Sequence, residues 1–488
     1  MPNMIHILLA AGLATTAAHA QDAWELVWSD EFEGSQLDAN NWSAQTGTGT
    51  AYGLPAGWGN NELQYYTAFE DNVLVSDGSL KIIAREQSFG GRNYTSARIR
   101  TLNKQEFLYG RIEARMKLPS TPGVWPAFWM LPTDSPYGGW ASSGEIDIME
   151  SVNYADRIYG TLHFGSSWPN TQSAGPRFSD GTDFSDDFHT YRIDWDPDSI
   201  TWYIDGVPYG TVNSASWFSS SAPSNPRAPF DTDFHLLLNV AVGGNFPGNP
   251  DGTSSFPQTL EVDYVRAYQR VQIPFPDEPH AIPGTIEAED FDLGGQGISY
   301  NDCDSDNNGG EYRESGVDIQ VATEGGYNIG WICEDEWLEY TVDVQTAGTY
   351  TLDARVASPV TGGGFQIEQD GEAISAPVYF FSTGGWQSWQ NASTTIDLEA
   401  GEQVLRFVNL GAFDTEYNLN WLSFTLQTPV GCSEADLAAP FGELNFFDVS
   451  AFLGAFNAQD SSADFNSDGV FNFFDVSEFL SIYNAGCP

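Results

Sequence analysis

Apolar and polar positions alternate through most of this chain. Over residues 24–270, short runs with every second residue apolar are separated by Gly, Pro, Asn and Asp, the period-two signature of half-buried β-strands joined by turns. In Y-G-R-I-E-A-R-M-K-L, residues 109–118, Ile112, Ala114, Met116 and Leu118 face one way and Arg111, Glu113, Arg115 and Lys117 the other. I-T-W-Y-I at 200–204 runs into Asp205 and Gly206 before V-P-Y-G, and Asp-Gly between apolar strands marks a tight hairpin. With no long helical period before the C-terminus, the stretch predicts an all-β sandwich.

One octapeptide departs from the pattern. In G-E-I-D-I-M-E-S, residues 144–151, Ile146 and Ile148 alternate with Glu145 and Asp147, so an extended strand sends two carboxylates to one face and two isoleucines to the other. Glu150 follows Glu145 at an odd offset, which a regular strand points the opposite way. A β-bulge near Met149 returns it to the acidic face. Three carboxylates on one surface suit general-acid and nucleophilic chemistry at a glycosidic bond, where a retaining enzyme needs its carboxyls about 5 to 5.5 Å apart. Strand rise separates the two glutamate backbones by roughly 13 Å, so inward-leaning side chains on a concave sheet must close the gap. Crowding predicts a shared proton or a raised pKa among the acids. An acidic strand facing solvent is the plainer alternative.

Upstream, Trp125, Ala127 and Trp129 share one face of their strand, with Pro126 and Phe128 on the other. Indoles on a cleft floor stack on sugar rings, and small Ala127 leaves room for one. With Trp140 just ahead of the acidic strand, convergent aromatic and acidic groups favour a cleft over a pair of core tryptophans.

After residue 270 the texture changes. V-Q-I-P-F-P-D-E-P-H-A-I-P, residues 271–283, holds four prolines and predicts a stiff, extended linker. Strand-like runs resume in I-E-A-E-D-F (286–291), Y-N-I-G-W-I (327–332), E-W-L-E-Y-T-V (336–342) and G-G-W-Q-S-W-Q (384–390), so residues 284–426 read as a second β-module. A shorter linker, 427–431, leads to residues 432–488, where N-F-F-D-V-S-A-F-L (445–453) recurs as N-F-F-D-V-S-E-F-L (472–480). Phe473, Val476, Leu480 and Tyr483 follow helical spacing, so each repeat should end in a short amphipathic helix. Ahead of the second helix, Asp464, Asn466, Asp468, the Val470 carbonyl, Asn472 and Asp475 fall in the ligand order of a calcium loop, with Gly469 at the sharp turn. Its last position is Asp, not the usual Glu. The first copy offers Ala438, Ala439, Pro440 and Phe441 where ligands belong, so one calcium is expected in this module, not two.

At 488 residues the chain exceeds a single core, and two to four domains are expected. Aromatics at 14% against 17% charged residues favour folded modules over disorder. Sixty-seven acidic residues against 18 basic ones leave a formal charge of -49, which makes nucleic acid and anionic membranes poor partners. A neutral polysaccharide is compatible with that surface, carboxylate clusters suit calcium, and the excess reads as solvation suited to saline surroundings. An apolar run at 5–14 followed by A-H-A at 18–20 reads as a secretory signal, residues 1–20, although no Lys or Arg precedes it. The protein is therefore expected outside the cell, free or attached to its surface. No other stretch is apolar enough to span a membrane. Cys303 with Cys333, and Cys432 with Cys487, pair most economically within modules.

These residues carry a family resemblance. E-I-D-I-M-E resembles the bulged active-site strand of family 16 glycoside hydrolases, the endo-β-1,3-glucanase (laminarinase) branch in particular. W-S-D-E-F (28–32), W-G-N-N-E-L-Q-Y-Y-T (58–67), G-V-W-P-A-F-W-M-L-P (123–132) and V-D-Y-V-R (262–266) agree with it in order. The resemblance implies a β-jelly-roll catalytic domain over residues 21–270, with Glu145 as nucleophile, Glu150 as general acid and then base, Asp147 between them, and retention by double displacement. It also implies His163 at the cleft, with Trp125, Trp129, Trp140, Asn61 and Arg98 as substrate contacts, and a structural calcium at Asp263 with backbone oxygens near Glu33 and Gly78. No catalytic cofactor is implied.

Residues 284–426 resemble a family 6 carbohydrate-binding module, a second jelly roll. There Tyr312 and Trp386 match a sugar-sandwiching aromatic pair, Asn420 its hydrogen-bonding partner, and Glu287 and Glu289 calcium ligands. Residues 432–488 resemble a dockerin-type repeat, which implies a surface or scaffold partner. Competing readings are a glucan-recognising lectin on the same scaffold, or a hydrolase of mixed-linkage glucan, agar, porphyran or carrageenan. Retention of both glutamates weighs against the lectin, and the extra residue in E-I-D-I-M-E against the shorter lichenase pattern.

Overall fold

A computed structural model describes residues 24–303, 306–359, 362–411, 417–427 and 432–487. The expected signal segment, and all but Gln427 of the expected second linker, lie outside the described residues. The chain forms two compact units, Asp22–Val271 and Gln272–Pro488.

In the first unit two largely antiparallel sheets, of nine and ten described strands, enclose one apolar core. Seven strands of the nine-stranded sheet carry the site: β1 (Ser43–Ala44), β2 (Arg98–Arg100), β3 (Val124–Pro132), β4 (Glu145–Glu150), β5 (Ile158–Gly165), β6 (Thr171–Ala174) and β7 (Phe234–Val242). Their spatial order is β6-β5-β4-β3-β7-β2-β1. Alternation decides which way each side chain points. Val124, Phe128 and Met130 of β3, and Leu236, Leu238, Val240 and Val242 of β7, enter the core, leaving Trp125, Trp129 and Asn239 on the opposite face.

The bulge expected in β4 is present. Its pairing with β3 runs Met130↔Ile146 and Trp129↔Asp147, then slips to Phe128↔Met149 and Ala127↔Glu150, and the pairing with β5 slips between Asp147 and Glu150. Ile148 and the adjacent Met149 are both buried in the core, so one residue is absorbed and Glu150 regains the face of Glu145 and Asp147. The opposite sheet supports this irregularity. Trp202, in the Ser199–Ile204 strand, donates its indole N–H to the Asp147 carbonyl at 2.9 Å. Gly160 of β5 makes room for that indole, since a Cβ there would stand 2.4 Å from it.

Asp263 accepts a hydrogen bond from Arg115 Nη1 at 2.6 Å, an ion pair on the outer sheet. The calcium expected at Asp263 with backbone oxygens near Glu33 and Gly78 would share that carboxylate with Arg115.

In the second unit, sheets of seven and six described strands enclose a separate core. The proline-rich stretch 271–283, expected as a stiff, extended linker, is tied to the second module along part of its length. Ile273 and Leu293 exchange backbone hydrogen bonds at 3.0 and 2.9 Å, Phe275 and Ile282 are buried, and His280–Ile282 pairs in parallel with Trp337–Val344. Apolar side chains draw the segment onto the second module, and Pro279 and Pro283 flank the strand without interrupting its ladder. Disulfides join Cys303 to Cys333 and Cys432 to Cys487.

The repeats form α1 (Phe446–Ala458) and α2 (Phe473–Ala485). Each opens on a capping box, Asn445 with Asp448 and Asn472 with Asp475, which satisfies amides that the first helical turn leaves free. Equivalent side chains Phe452 and Phe479 stack with ring centroids 4.0 Å apart.

Candidate active site

The bulged strand places Glu145, Asp147 and Glu150 on the face that β3, β5 and β7 line with polar and aromatic groups. Two indoles hold the outer pair: Trp140 Nε1 donates to Glu145 Oε2 at 2.9 Å and Trp125 Nε1 to Glu150 Oε1 at 2.8 Å. His163 stands opposite Glu145 on β5, with Nε2 3.3 Å from Asp147 Oδ2 and 3.7 Å from Glu145 Oε1. His163 and the three acids therefore form one electrostatic unit.

Burial sets the charge states. Loss of water, then the neighbouring Asp147 carboxylate, push Glu145 up to about 7, against the pull of His163, the Trp140 N–H and Arg98. Burial followed by Asp147 lifts Glu150 well above the usual carboxylate range. Burial disfavours the His163 cation, yet its hydrogen bond to Asp147 and attraction by Glu145, Asp147 and Glu150 carry it up to about 9. Burial and Asp147 thus shift both glutamates toward the protonated form relative to a free carboxyl.

The cleft continues across β3, β7 and β2. Trp129 Nε1 donates to Asn239 Oδ1 at 2.9 Å. The Arg98 guanidinium lies between the rings of Trp58 and Trp129, 4.6 and 4.7 Å from their centroids, and its Nε donates to Gln45 Oε1 at 2.7 Å. Asn61 sits at an exposed position, bonded through Nδ2 to Asn245 Oδ1 at 2.9 Å. Sequence reasoning misses Gln45, Trp58, Asn239 and the buried Glu62, whose carboxylate accepts from Gln64 and is raised by burial. Asn239 does carry a signal, a polar residue within F-H-L-L-L-N-V-A-V, and Trp58 and Glu62 fall inside W-G-N-N-E-L. Gln45 carries none.

In the second unit Tyr312 and Trp386 are 47% and 43% exposed. Tyr312 packs on Tyr327 with ring centroids 4.8 Å apart and donates its hydroxyl to Asp290 Oδ1 at 2.6 Å. Asn420 is buried with Oδ1 unpaired. Glu289 is also buried: Oε1 accepts the Tyr327 amide at 3.1 Å, Oε2 has no partner, and burial lifts the carboxyl to about 7. An orphaned, buried carboxylate oxygen two residues from Glu287 is a donor set that fits a cation.

The two repeats differ at their loops. Asp464 accepts the amides of Asp468 and Gly469 at 3.1 and 2.9 Å, and Asp475 that of Asn472 at 2.8 Å, so residues 464–475 are curled with their oxygen donors in calcium-loop order. In the first repeat Asp448 accepts three amides, from Leu437 and Ala438 at 2.8 Å and Asn445 at 2.7 Å. The residues before it, Ala438, Ala439, Pro440 and Phe441, offer no side-chain oxygens.

Comparison with known proteins adds to this geometry. Residues 60–233 match the model of glycosyl hydrolases family 16, and residues 295–426 that of the carbohydrate binding module (family 6). A glucan endo-1,3-beta-glucosidase of Cryptopygus antarcticus is 41% identical over 271 residues, 52% of this chain and 96% of that protein. Glucan endo-1,3-beta-glucosidase A1 of Niallia circulans is 46% identical over 260 residues, 50% of this chain, and the chain spans 38% of that relative's length. The laminarinase catalytic domain of Thermotoga maritima MSB8 aligns at 42% identity and a TM-score of 0.46, over 51% of this chain and 98% of that domain.

Proposed function

The chain belongs to glycosyl hydrolase family 16, and from that premise we propose that residues 21–270 are an endo-acting, retaining hydrolase of β-1,3-glucan. The observation that carries the reading is the β4 bulge, which sets Glu145, Asp147 and Glu150 on one face. Glu145 attacks the anomeric carbon while Glu150 protonates the departing glycosidic oxygen. Glu150, now ionised, then takes a proton from water as that water displaces the glycosyl ester and restores Glu145. Two inversions give net retention. Asp147 and His163 sit between these steps and tune the charge that each glutamate experiences. Trp125, Trp129 and Trp140 offer indole faces to sugar rings, with Asn61 and Arg98 as polar contacts.

The remaining modules serve the same polymer in this reading. Residues 284–426 hold carbohydrate through Tyr312, Trp386 and Asn420, and calcium bound by Glu287 and Glu289 would be structural. The loop 464–475 would hold a second calcium through Asp464, Asn466, Asp468, the Val470 carbonyl, Asn472 and Asp475. Residues 432–488 would attach the enzyme to a surface or scaffold partner. The solvent-facing aromatic pairs that open both helices, Phe446 with Phe447 and Phe473 with Phe474, support that role. Export follows from residues 1–20.

Incubation with laminarin, lichenan, agarose and carrageenan, following new reducing ends and product anomers, tests the assignment. Laminarin should be cleaved with retention, and Glu145→Gln should abolish turnover while leaving glucan binding intact. Cleavage of none of them, or substantial turnover by the variant, would refute it.

A further inference from the structure

Next to the Glu145 side of the cleft a second indole stands clear of the protein. Trp168, on the loop from β5 to β6, is 72% exposed, more than any other large apolar side chain described in the first unit. Its ring centroid lies 6.3 Å from that of Trp140, with the planes 34° apart. Trp140 itself donates to Glu145 and lies 5.5 Å from the His163 ring, so the two indoles continue directly from the acids. The loop is well tied. Trp168 donates its amide to the Trp140 carbonyl at 3.1 Å, Asn170 to the Ser167 carbonyl at 3.1 Å, and the hydroxyls of Ser142 and Ser167 are 3.2 Å apart. An indole held in water by a hydrogen-bonded loop gains from apolar burial only when a ligand lies on it.

We infer that Trp168, with Trp140, is a stacking platform for a glucan residue remote from the bond being broken, and that it makes cleavage depend on chain length. This rests on the β-1,3-glucanase reading and specifies a part of that cleft. Aromatic and charged groups are spread across the strand order, with Trp58, Arg98 and Trp129 on the β3-β7-β2 side and Trp140 and Trp168 toward β6, so the polymer crosses the strands over β4. Two strand spacings, roughly 9–10 Å, separate β4 from β6. Trp168 stands beyond Trp140, which itself holds Glu145, so a sugar resting on Trp168 is not one of the two being parted. A chain too short to reach Trp168 gains nothing from it, and a longer one is held by an indole face.

The test compares wild type, Trp168→Ala and Trp168→Phe on β-1,3-gluco-oligosaccharides from trimer to heptamer, reading kcat/KM at each length. The wild-type to Trp168→Ala ratio should climb with length to about tenfold, the equivalent of roughly 1.4 kcal/mol for one stacked ring, and Phe should restore part of it. Because the side chain is exposed, folding of the variants is not at risk, and matching melting curves check this. A ratio that stays level across the lengths would overturn the platform while leaving the hydrolase reading intact. No cleavage by the wild type at any length would overturn the hydrolase reading and the platform with it.

Discussion

Replacing Trp140 by Phe removes one hydrogen-bond donor from Glu145 and little else. The indole N–H lies 2.9 Å from Glu145 Oε2 and favours the ionised carboxylate, while the aromatic ring that neighbours His163 and Trp168 is kept. A hydrogen bond to a charged group is worth about 1.5–3 kcal/mol, but Trp140 is 41% exposed, and water takes over part of the donation. About 1 kcal/mol remains, or roughly 0.7 of a pH unit. The direction follows from the chemistry. Glu145 must be ionised to attack, so activity is lost as pH falls through its pKa, held at about 7 in the wild type. Loss of a donor to the anion raises that pKa, and the acid limb moves upward. Profiles of kcat/KM against pH on a laminari-oligosaccharide should show this shift, with the wild-type rate largely recovered above the new limb. An acid limb that stays in place or moves down would refute the assignment of Glu145 as the group that must ionise.

Other variants probe the same structure elsewhere. His163→Ala removes a cation that favours ionised Glu145, so its acid limb should also move to higher pH; an unmoved limb would mean that the imidazole is not charged in the working enzyme. Trp202→Phe leaves the Asp147 carbonyl without its 2.9 Å partner, and calorimetry should find the first unit about 1–3 kcal/mol less stable; an unchanged transition would show that the bulge does not need it. Phe479→Ala opens the stack with Phe452 in a core with few buried side chains, at about 3–5 kcal/mol. That should unfold residues 432–488 with oligosaccharide turnover preserved, as hydrogen exchange would register. Calcium titration by calorimetry should lose one site in Glu289→Gln and a different one in Asp464→Ala, and equal stoichiometry in all three proteins would remove both assignments.

The period-two pattern and the placement of turns were enough to read two β-modules, because a strand buried on one face writes its orientation into every second residue. Parity tied a shared face for the three acids to a bulge near Met149, since Glu150 reaches the face of Glu145 only if one residue is absorbed. The duplicated N-F-F-D-V-S likewise pointed to two helices, although Phe473 and Leu480 of the expected apolar stripe lie exposed and Phe479 is buried. What supports these features was not legible. Trp202 and Gly160 come from different sheets, and nothing in either neighbourhood signals that one fills the space the other leaves. The ion pair of Asp263 with Arg115 joins residues far apart in the chain, and the burial of Phe275 and Ile282 within 271–283 follows from packing. The charge states of Glu145 and Glu150 belong to the same class: their spacing comes from the chain, but the desolvation that raises them comes from packing. Alternation, capping and repeats depend on neighbours in sequence and survive in a one-dimensional reading, whereas burial, ion pairing and proton affinity depend on neighbours in space, which only the folded sheets bring together.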